Sequence, residues 1–168
     1  MDINLFENDV ELVNNPISRK EKLIIIQGGE DRINRLAVSN KNIDILLDPQ
    51  LGTKQDFLHN RNSGLNQVLC KLAKKNKVAI GFSFNNILKN SSSKILGRII
   101  QNIKLCRKYK LTIVVGNFSK SETRNINDIH SFYKTLGMTG KELQDGSNYK
   151  EHKLDYKRRY ITKGVMKC

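Results

Sequence analysis

The chain of 168 residues carries 30 Lys and Arg against 16 Asp and Glu, a formal net charge of +14, and such an excess favours phosphate-rich partners through Coulomb attraction and counterion release. No apolar run approaches the length of a membrane span, and residues 1–9 lack the basic flank and apolar core of a signal peptide, so a soluble, cytoplasmic protein with no membrane partner is expected. Cys70, Cys106 and Cys168 lie far apart and form no C-x-x-C pair, which argues against a disulfide framework and against a zinc site, and the length fits one domain.

In chain order, Ile3 and Leu5 alternate with polar residues over 1–6, a short strand candidate, and 8–22 is a polar stretch holding Pro16. The run 23–27 predicts the first clear strand, stopped by Gly28 and Gly29. Ile33, Leu36 and Ala37 recur at helical spacing within 30–39, and 43–47 predicts a second buried strand closed by Asp48 and Pro49. Residues 50–61 carry no periodicity and predict an exposed loop. The stretch 62–83 holds a complete helix-to-strand unit. Leu65, Val68, Leu69, Leu72 and Ala73 form its apolar stripe, Asn62 or Ser63 supplies a cap, and Lys71, Lys74, Lys75 and Lys77 fall largely off the stripe. The apolar run 78–84 follows as a buried strand.

Residues 85–93 predict a polar connection, and Lys94 opens what the pattern makes the longest helix. Ile95, Ile99, Ile103 and Cys106 give its apolar stripe, and Lys94, Arg98, Gln101, Lys104 and Lys108 a second, mostly positive one. A fourth strand over 111–115 leads into a polar loop, 116–125. Asn125 or Asn127 then caps a helix with Ile126, Ile129, Tyr133 and Leu136 on one face, ended by Gly137. Beyond Thr139 the pattern weakens. The expected division is one α/β domain over 1–149 and a basic tail over 150–168, with Tyr156 and Tyr160 flanking Lys157, Arg158 and Arg159 and ordering on a partner. Single alternation of strand and helix implies parallel strands with right-handed crossovers, in a doubly wound sheet or a (β/α) barrel.

Local motifs for catalysis are weak. Gly28-Gly29 stands in neither a dinucleotide fingerprint nor a P-loop and reads as a tight βα turn. His59, His130 and His152 have no metal-ligand spacing. Asp44, Asp48 and Asp56 are close in sequence, and paired carboxylates hold Mg²⁺ or divide acid and base roles, yet their strand, turn and loop settings favour structural roles. The stronger signal is a set of cations beside helix starts and strand ends: Arg32, Arg35, Lys54, Arg61, Lys75, Lys108 and Arg124. Guanidinium forks and mobile ammonium groups suit phosphate oxygens, although solvated surface residues look the same in sequence.

Taken together, the strand IIIQGG, the helix segment INRLAV (33–38), IDIL followed by Pro49, SGLNQVLCKLA, NKVAIGFS, the Lys-Tyr pair before the strand at Leu111, RNINDI (124–129) and LGM (136–138) resemble the ribonuclease P protein component 3 family of archaea and eukaryotes. The likeness runs from about 23 to 138. It implies a TIM-like (β/α) barrel related to the PHP phosphoesterases, incomplete at the N-terminus because the chain lacks the first βα units. It also implies a subunit of the ribonucleoprotein that removes 5′ leaders from precursor tRNA. In that assembly the RNA subunit and its Mg²⁺ perform hydrolysis, the protein binds no cofactor, and its partners are the RNA, precursor tRNA, component 2 and other protein subunits. Family members commonly carry Asp at the position of Asn62, His at that of Gln67 and an Asp near 116–119, so the departures weaken a metal site of the chain's own. Within the matched segments or next to them, Arg35, Arg61, Lys75, Lys108 and Arg124 are the expected RNA contacts, with no catalytic residue. The rival expectations are a metal-dependent phosphoesterase on the same barrel and a non-catalytic scaffold.

Overall fold

The computed structural model describes residues 22–53, 55–56, 58, 60–90, 92–118, 124–162 and 165–166. The expected strand at 1–6, the connection at 8–22 save Lys22, Lys54, His59, Cys168 and the loop residues 119–123 lie outside them. Four strands, β1 (Ile25–Gln27), β2 (Ile45–Leu47), β3 (Ala79–Ser83) and β4 (Ile113–Gly116), form one parallel sheet in the order β1-β2-β3-β4. Each strand pairs with the next in sequence, which is the winding of a (β/α) barrel; a doubly wound sheet reverses its order part-way. The intervening helices α1 (Asp31–Ser39), α2 (Gln67–Asn76) and α4 (Ser93–Tyr109) pack in succession, α1 on α2 and α2 on α4, so they cover one face of the arc.

Strand alternation sorts the apolar residues. Leu46, Ile80, Phe82, Ile113 and Val115 face the helices and join Val38, Leu69, Cys70, Ala73, Ile99, Ile103 and Cys106 in the core. Burial raises the thiol pKa values of Cys70, to about 11, and of Cys106, as expected of core cysteines. The opposite face is small where Gly81 stands, and a Cβ there would press on Ile45 and Leu47.

Several local expectations are corrected. Asn66, and neither Asn62 nor Ser63, caps α2, its side chain accepting from Leu69 N at 2.9 Å. Gly64 sits at φ 76 where a Cβ would collide with the Pro49 carbonyl, so the chain must clear that turn before the helix begins. Ser83 ends β3 and caps a short helix, α3 (Phe84–Lys89), in place of the expected polar connection. Asn125 caps α5 (Ile126–Thr135) as expected, and Gly137 follows it at φ 102.

The largest difference is α6 (Gly140–Arg159), at 20 residues longer than the 17-residue α4. The division expected between 149 and 150 falls inside this continuous helix, which leads into a hairpin of β5 (Tyr160–Thr162) and β6 (Val165–Met166). Its start is a capping box: Thr139 N donates to Glu142 Oε2 at 2.8 Å and Glu142 N to Thr139 Oγ1 at 3.3 Å. Arg107 of α4 grips the same carboxylate with Nε and Nη2 at 2.7 Å each. The helix then lies against the free edge of β4, with Gly146 on the Ile113 carbonyl, and passes beneath the N-terminal ends of β3 and β2, where Tyr149 Oη donates to Asp44 O at 2.8 Å. A covered edge cannot recruit another strand.

Two outcomes are expected for α6. A helical glycine usually gains about 1 kcal/mol on replacement by Ala, but Gly146→Ala is expected to lose about 1–3 kcal/mol in urea unfolding, because the new Cβ drives the helix off the Ile113 carbonyl. Glu142 is held at about 2 against an ordinary 4.5, chiefly by its hydrogen bonds from Arg107. A depressed carboxyl stabilises the fold above its unfolded value and loses that effect as pH falls through the folded one. Glu142→Gln should therefore cost roughly 1 kcal/mol at neutral pH, and the gap to wild type should close near pH ~2–3 in pH-dependent melting curves.

Candidate nucleic-acid interface

The loop after β2 is exposed at Thr53, Gln55, Leu58, Asn60 and Arg61, as the sequence predicts, but its start at Asp48 and Gln50 is built on buried polar contacts. Pro49–Leu51 form a 3-10 turn after Asp48, which adopts a left-handed φ of 49. Asp48 is fully buried. Its Oδ1 accepts from Ser83 N at 2.9 Å and Gln50 Nε2 at 3.1 Å, and its Oδ2 from Asn86 Nδ2 at 2.7 Å. Burial raises the carboxyl pKa, and these donors pull it back only in part. Asn34 of α1 fills the Gly28-Gly29 turn, accepting from Gly29 N at 3.0 Å and donating to Pro49 O at 3.2 Å and Gly64 O at 3.1 Å. The glycine pair is thus the tight turn its sequence suggests.

One turn of α4 clamps the same loop. Arg98, expected on a positive surface stripe, is only 1 % exposed. Its Nε donates to Asp56 Oδ1 at 2.8 Å, Nη1 to the carbonyls of Gln50 and Gly52 at 3.1 and 2.9 Å, and Nη2 lies 2.7 Å from Asp56. Periodicity alone cannot distinguish a charge facing solvent from one facing inward onto a carboxylate and backbone carbonyls. Although desolvation opposes ionisation, Arg98 holds the Asp56 carboxyl below its usual range. Gln101 Nε2 reaches Arg61 O at 3.1 Å and Ser63 Oγ at 3.2 Å, and Asn102 Nδ2 reaches Ser63 O at 2.9 Å.

The three aspartates therefore serve three separate structures. Asp44, just before β2, accepts from Ile24 N at 2.7 Å and pairs with Lys157 and, at 3.5 Å, Lys153 of α6. Among the described residues no group of three or more His, Cys, Asp or Glu is placed to hold a metal ion. His130 contacts Ser147 at 3.4 Å, and burial and Lys134 lower its pKa; His152 is exposed on α6.

All five expected RNA-binding residues are exposed, and the fold does not gather them at one point. Arg61, whose carbonyl Gln101 holds, lays its guanidinium on Gly97 of α4, and Arg124, whose carbonyl accepts from Asn117 Nδ2 at 2.8 Å, precedes α5; both follow strand C-termini. Arg35 lies midway along α1. Lys75 and Lys108 stand in the last turns of α2 and α4, at the other end of the sheet, the Lys108 ammonium 5.9 Å from the Tyr109 ring centroid. What links them is the outer helical layer. Neither α2 nor α4 contains an acidic residue, and Lys71, Lys74, Lys75, Lys104 and Lys108 are exposed on these adjacent helices.

A parallel sheet wound in sequential order, with a polar network at its C-terminal end and a basic helical layer outside, defines a protein with the winding of a (β/α) barrel. A model of the family described as RNase P subunit p30 matches residues 5–153, nearly the whole chain, and the chain belongs to that family. Ribonuclease P protein component 3 of Methanococcus maripaludis (strain C5) is 32% identical over 114 residues, 66% of this chain and 46% of the relative. The component 3 protein of Methanosarcina acetivorans is 30% identical over 152 residues, 85% of this chain and 60% of the relative. A chain in the cryo-EM structure of archaeal ribonuclease P with mature tRNA superposes with a TM-score of 0.71 at 26% identity, covering 87% of this chain and 64% of that one, and agrees with a TIM-like barrel. The chain spans about half the length of the curated Methanococcus maripaludis relatives that it matches. No helix among the described residues is long and apolar enough to cross a membrane.

Removing the buried cation should expose how far the loop depends on it. Arg98→Met takes the guanidinium from two carbonyls and from the partly exposed Asp56, which keeps the Asn62 amide at 2.9 Å, and a drop of about 3 kcal/mol is expected in urea unfolding. Adding Asp56→Asn should recover part of it, since the two changes are coupled.

Proposed function

We propose that this chain is a protein subunit of ribonuclease P, acting in removal of the 5′ leader from precursor tRNA. The observation that carries the reading is the family match over residues 5–153, together with the acid-free, lysine-bearing outer faces of the adjacent helices α2 and α4. In this reading the RNA subunit and its Mg²⁺ carry out hydrolysis. The chain binds and stabilises that RNA beside component 2 and the other protein subunits, contacts precursor tRNA as part of the assembly, and works in the cytoplasm.

Arg35, Arg61, Lys75, Lys108 and Arg124 supply phosphate contacts, spread along the outer layer as needed to orient a protein on a folded RNA. Fixed loops support this role. Arg61 is presented on a segment that Gln101 and Asn102 hold, so little ordering is left for the moment of binding.

The test is reconstitution with the RNA subunit and the other proteins, with and without this chain. Leader removal should be stimulated by the wild type. Alanine at all five positions should weaken RNA binding by about tenfold or more and flatten the salt dependence by about one unit of slope for each phosphate no longer neutralised. Unchanged leader removal by the fivefold variant would refute these contacts. Cleavage of precursor tRNA by the purified chain with Mg²⁺, Mn²⁺ or Zn²⁺ and no RNA subunit would refute the subunit reading in favour of a phosphoesterase.

A further inference from the structure

The end of the sheet opposite the loops holds a cleft of about 340 Å³ between the C-termini of α2 and α4 and the second half of α6. Ala73, Val78, Ala79 and Leu111 make its apolar floor, and Lys74, Lys77, Lys110 and Lys153 stand around it with Tyr149 and Tyr156; His152 adds a further nitrogen base. Among the described residues no carboxylate lines it. Asp44, behind it, is buried and engaged by Lys153 and Lys157.

Two of the lysines have structural work. Helix C-termini present carbonyls and the negative end of the helix dipole, which cations stabilise. Lys74 Nζ donates to the Lys110 carbonyl at 2.7 Å, and Lys153 Nζ to the Lys77 carbonyl at 2.7 Å. One cation per helix end completes that role, yet each end has two. Lys77 and Lys110 are themselves the left-handed caps, at φ 57 and 53, so their side chains leave the helix ends at the cleft. The Lys77 ammonium lies 4.4 Å from the Tyr156 ring centroid and donates to its hydroxyl at 3.2 Å, and that ring is 41% exposed.

We propose that this cleft receives one unstacked nucleotide of a single-stranded RNA segment, its base against the Tyr156 ring and its phosphate between Lys77 and Lys110. A surplus of cations calls for an anion, an exposed ring beside them for a π-face, and an apolar floor for a flat group; a nucleotide unites the three. The volume falls in the range of single-ligand pockets, roughly 300–1,000 Å³. A duplex keeps its bases stacked and offers no base face to a tyrosine, whereas single strands do. Lys75 and Lys108, in the last turns of the same two helices, extend the positive track away from the mouth. The inference rests on the ribonuclease P reading and names the RNA feature that this face takes.

The full chain is titrated, by fluorescence anisotropy at low salt, into a labelled 12-nucleotide single strand and a duplex of equal length, with adenosine monophosphate as competitor. The single strand should bind more tightly than the duplex. Tyr156→Ala and Lys110→Glu should each weaken it about tenfold, whereas Tyr156→Phe, which keeps the ring, should stay within twofold. A 5-bromouridine strand should cross-link within α6. Lys110 is exposed, so its variant carries the test if Tyr156→Ala melts early. Wild-type affinity in both variants, equal losses for Phe and Ala, cross-links elsewhere, or displacement by micromolar adenosine monophosphate would each overturn the proposal. If the cleft variants bind as wild type while reconstituted leader removal still needs the chain, the cleft falls and the subunit reading stands. If the cleft variants lose binding while leader removal ignores the chain, the reverse holds.

Discussion

The carboxylate of Asp44 is the point on which the lower half of the molecule depends. Buried in front of β2, an ion of this kind costs several kcal/mol unless it is fully partnered. Its partners come from two directions: the Ile24 amide at the entry to β1, and Lys153 and Lys157 from α6. A single side chain therefore joins the first strand, the second and the last long helix. Tyr149 adds its hydroxyl to the Asp44 carbonyl, so both backbone and side chain of this residue hold α6. Were that attachment broken, the β4 edge under Gly146 would be left without its cover.

At the other end of the sheet the same economy of charge operates through Arg98. Its guanidinium takes Asp56 and the carbonyls of Gln50 and Gly52, and so converts a long connection into a fixed surface. The side chains at positions 98, 101 and 102 share one face of α4 at i, i+3 and i+4 spacing, which is why one helix can grip three points of the loop. Charge inside the molecule is paired and immobile. The cations left outside on α1, α2 and α4 meet few carboxylates, and their field is free to act on a partner.

How much of this is legible in the chain depends on what faces inward. The four strands and α2, α4 and α5 turn aliphatic residues toward the core, and their periods show in the sequence, although Val68 of the α2 stripe is exposed; in α1 the expected Ile33 and Leu36 are exposed, and the helix buries Asn34, Ala37 and Val38. The inward positions of α6 are Leu143, Gly146, Tyr149, Lys153 and Lys157, a stripe whose spacing is helical but whose chemistry is not apolar. A search for hydrophobic period passes over such a helix and returns a tail. The capping pair Thr139 and Glu142 is the available signal. Ser83 gives a similar hint for α3, hidden by the polar residues that follow it. Arg98 misleads for the converse reason, since a charged residue on a helix is read as exposed until its buried acceptor is known. The five expected contact residues are surface cations, as their polar sequence settings imply, but their distribution over both ends of the sheet depends on topology that no local motif records.

The placement of the acids limits the chemistry that they can perform. Asp44, Asp48 and Asp56 are each held by donors of the fold, and two of them are joined to cations that the fold also needs. A carboxylate in that position cannot take up a proton or a substrate without opening its own structure, because the partner charge would be left buried and alone. Acid-base work needs a group poised near the operating pH and within reach of the substrate. Asp48 has the raised pKa but lies fully buried beneath Gln50, Ser83 and Asn86. The geometry therefore gives these three carboxylates structural work: Asp44 ties α6 to the strand entries, Asp48 fixes the turn into α3, and Asp56 anchors the long loop to α4.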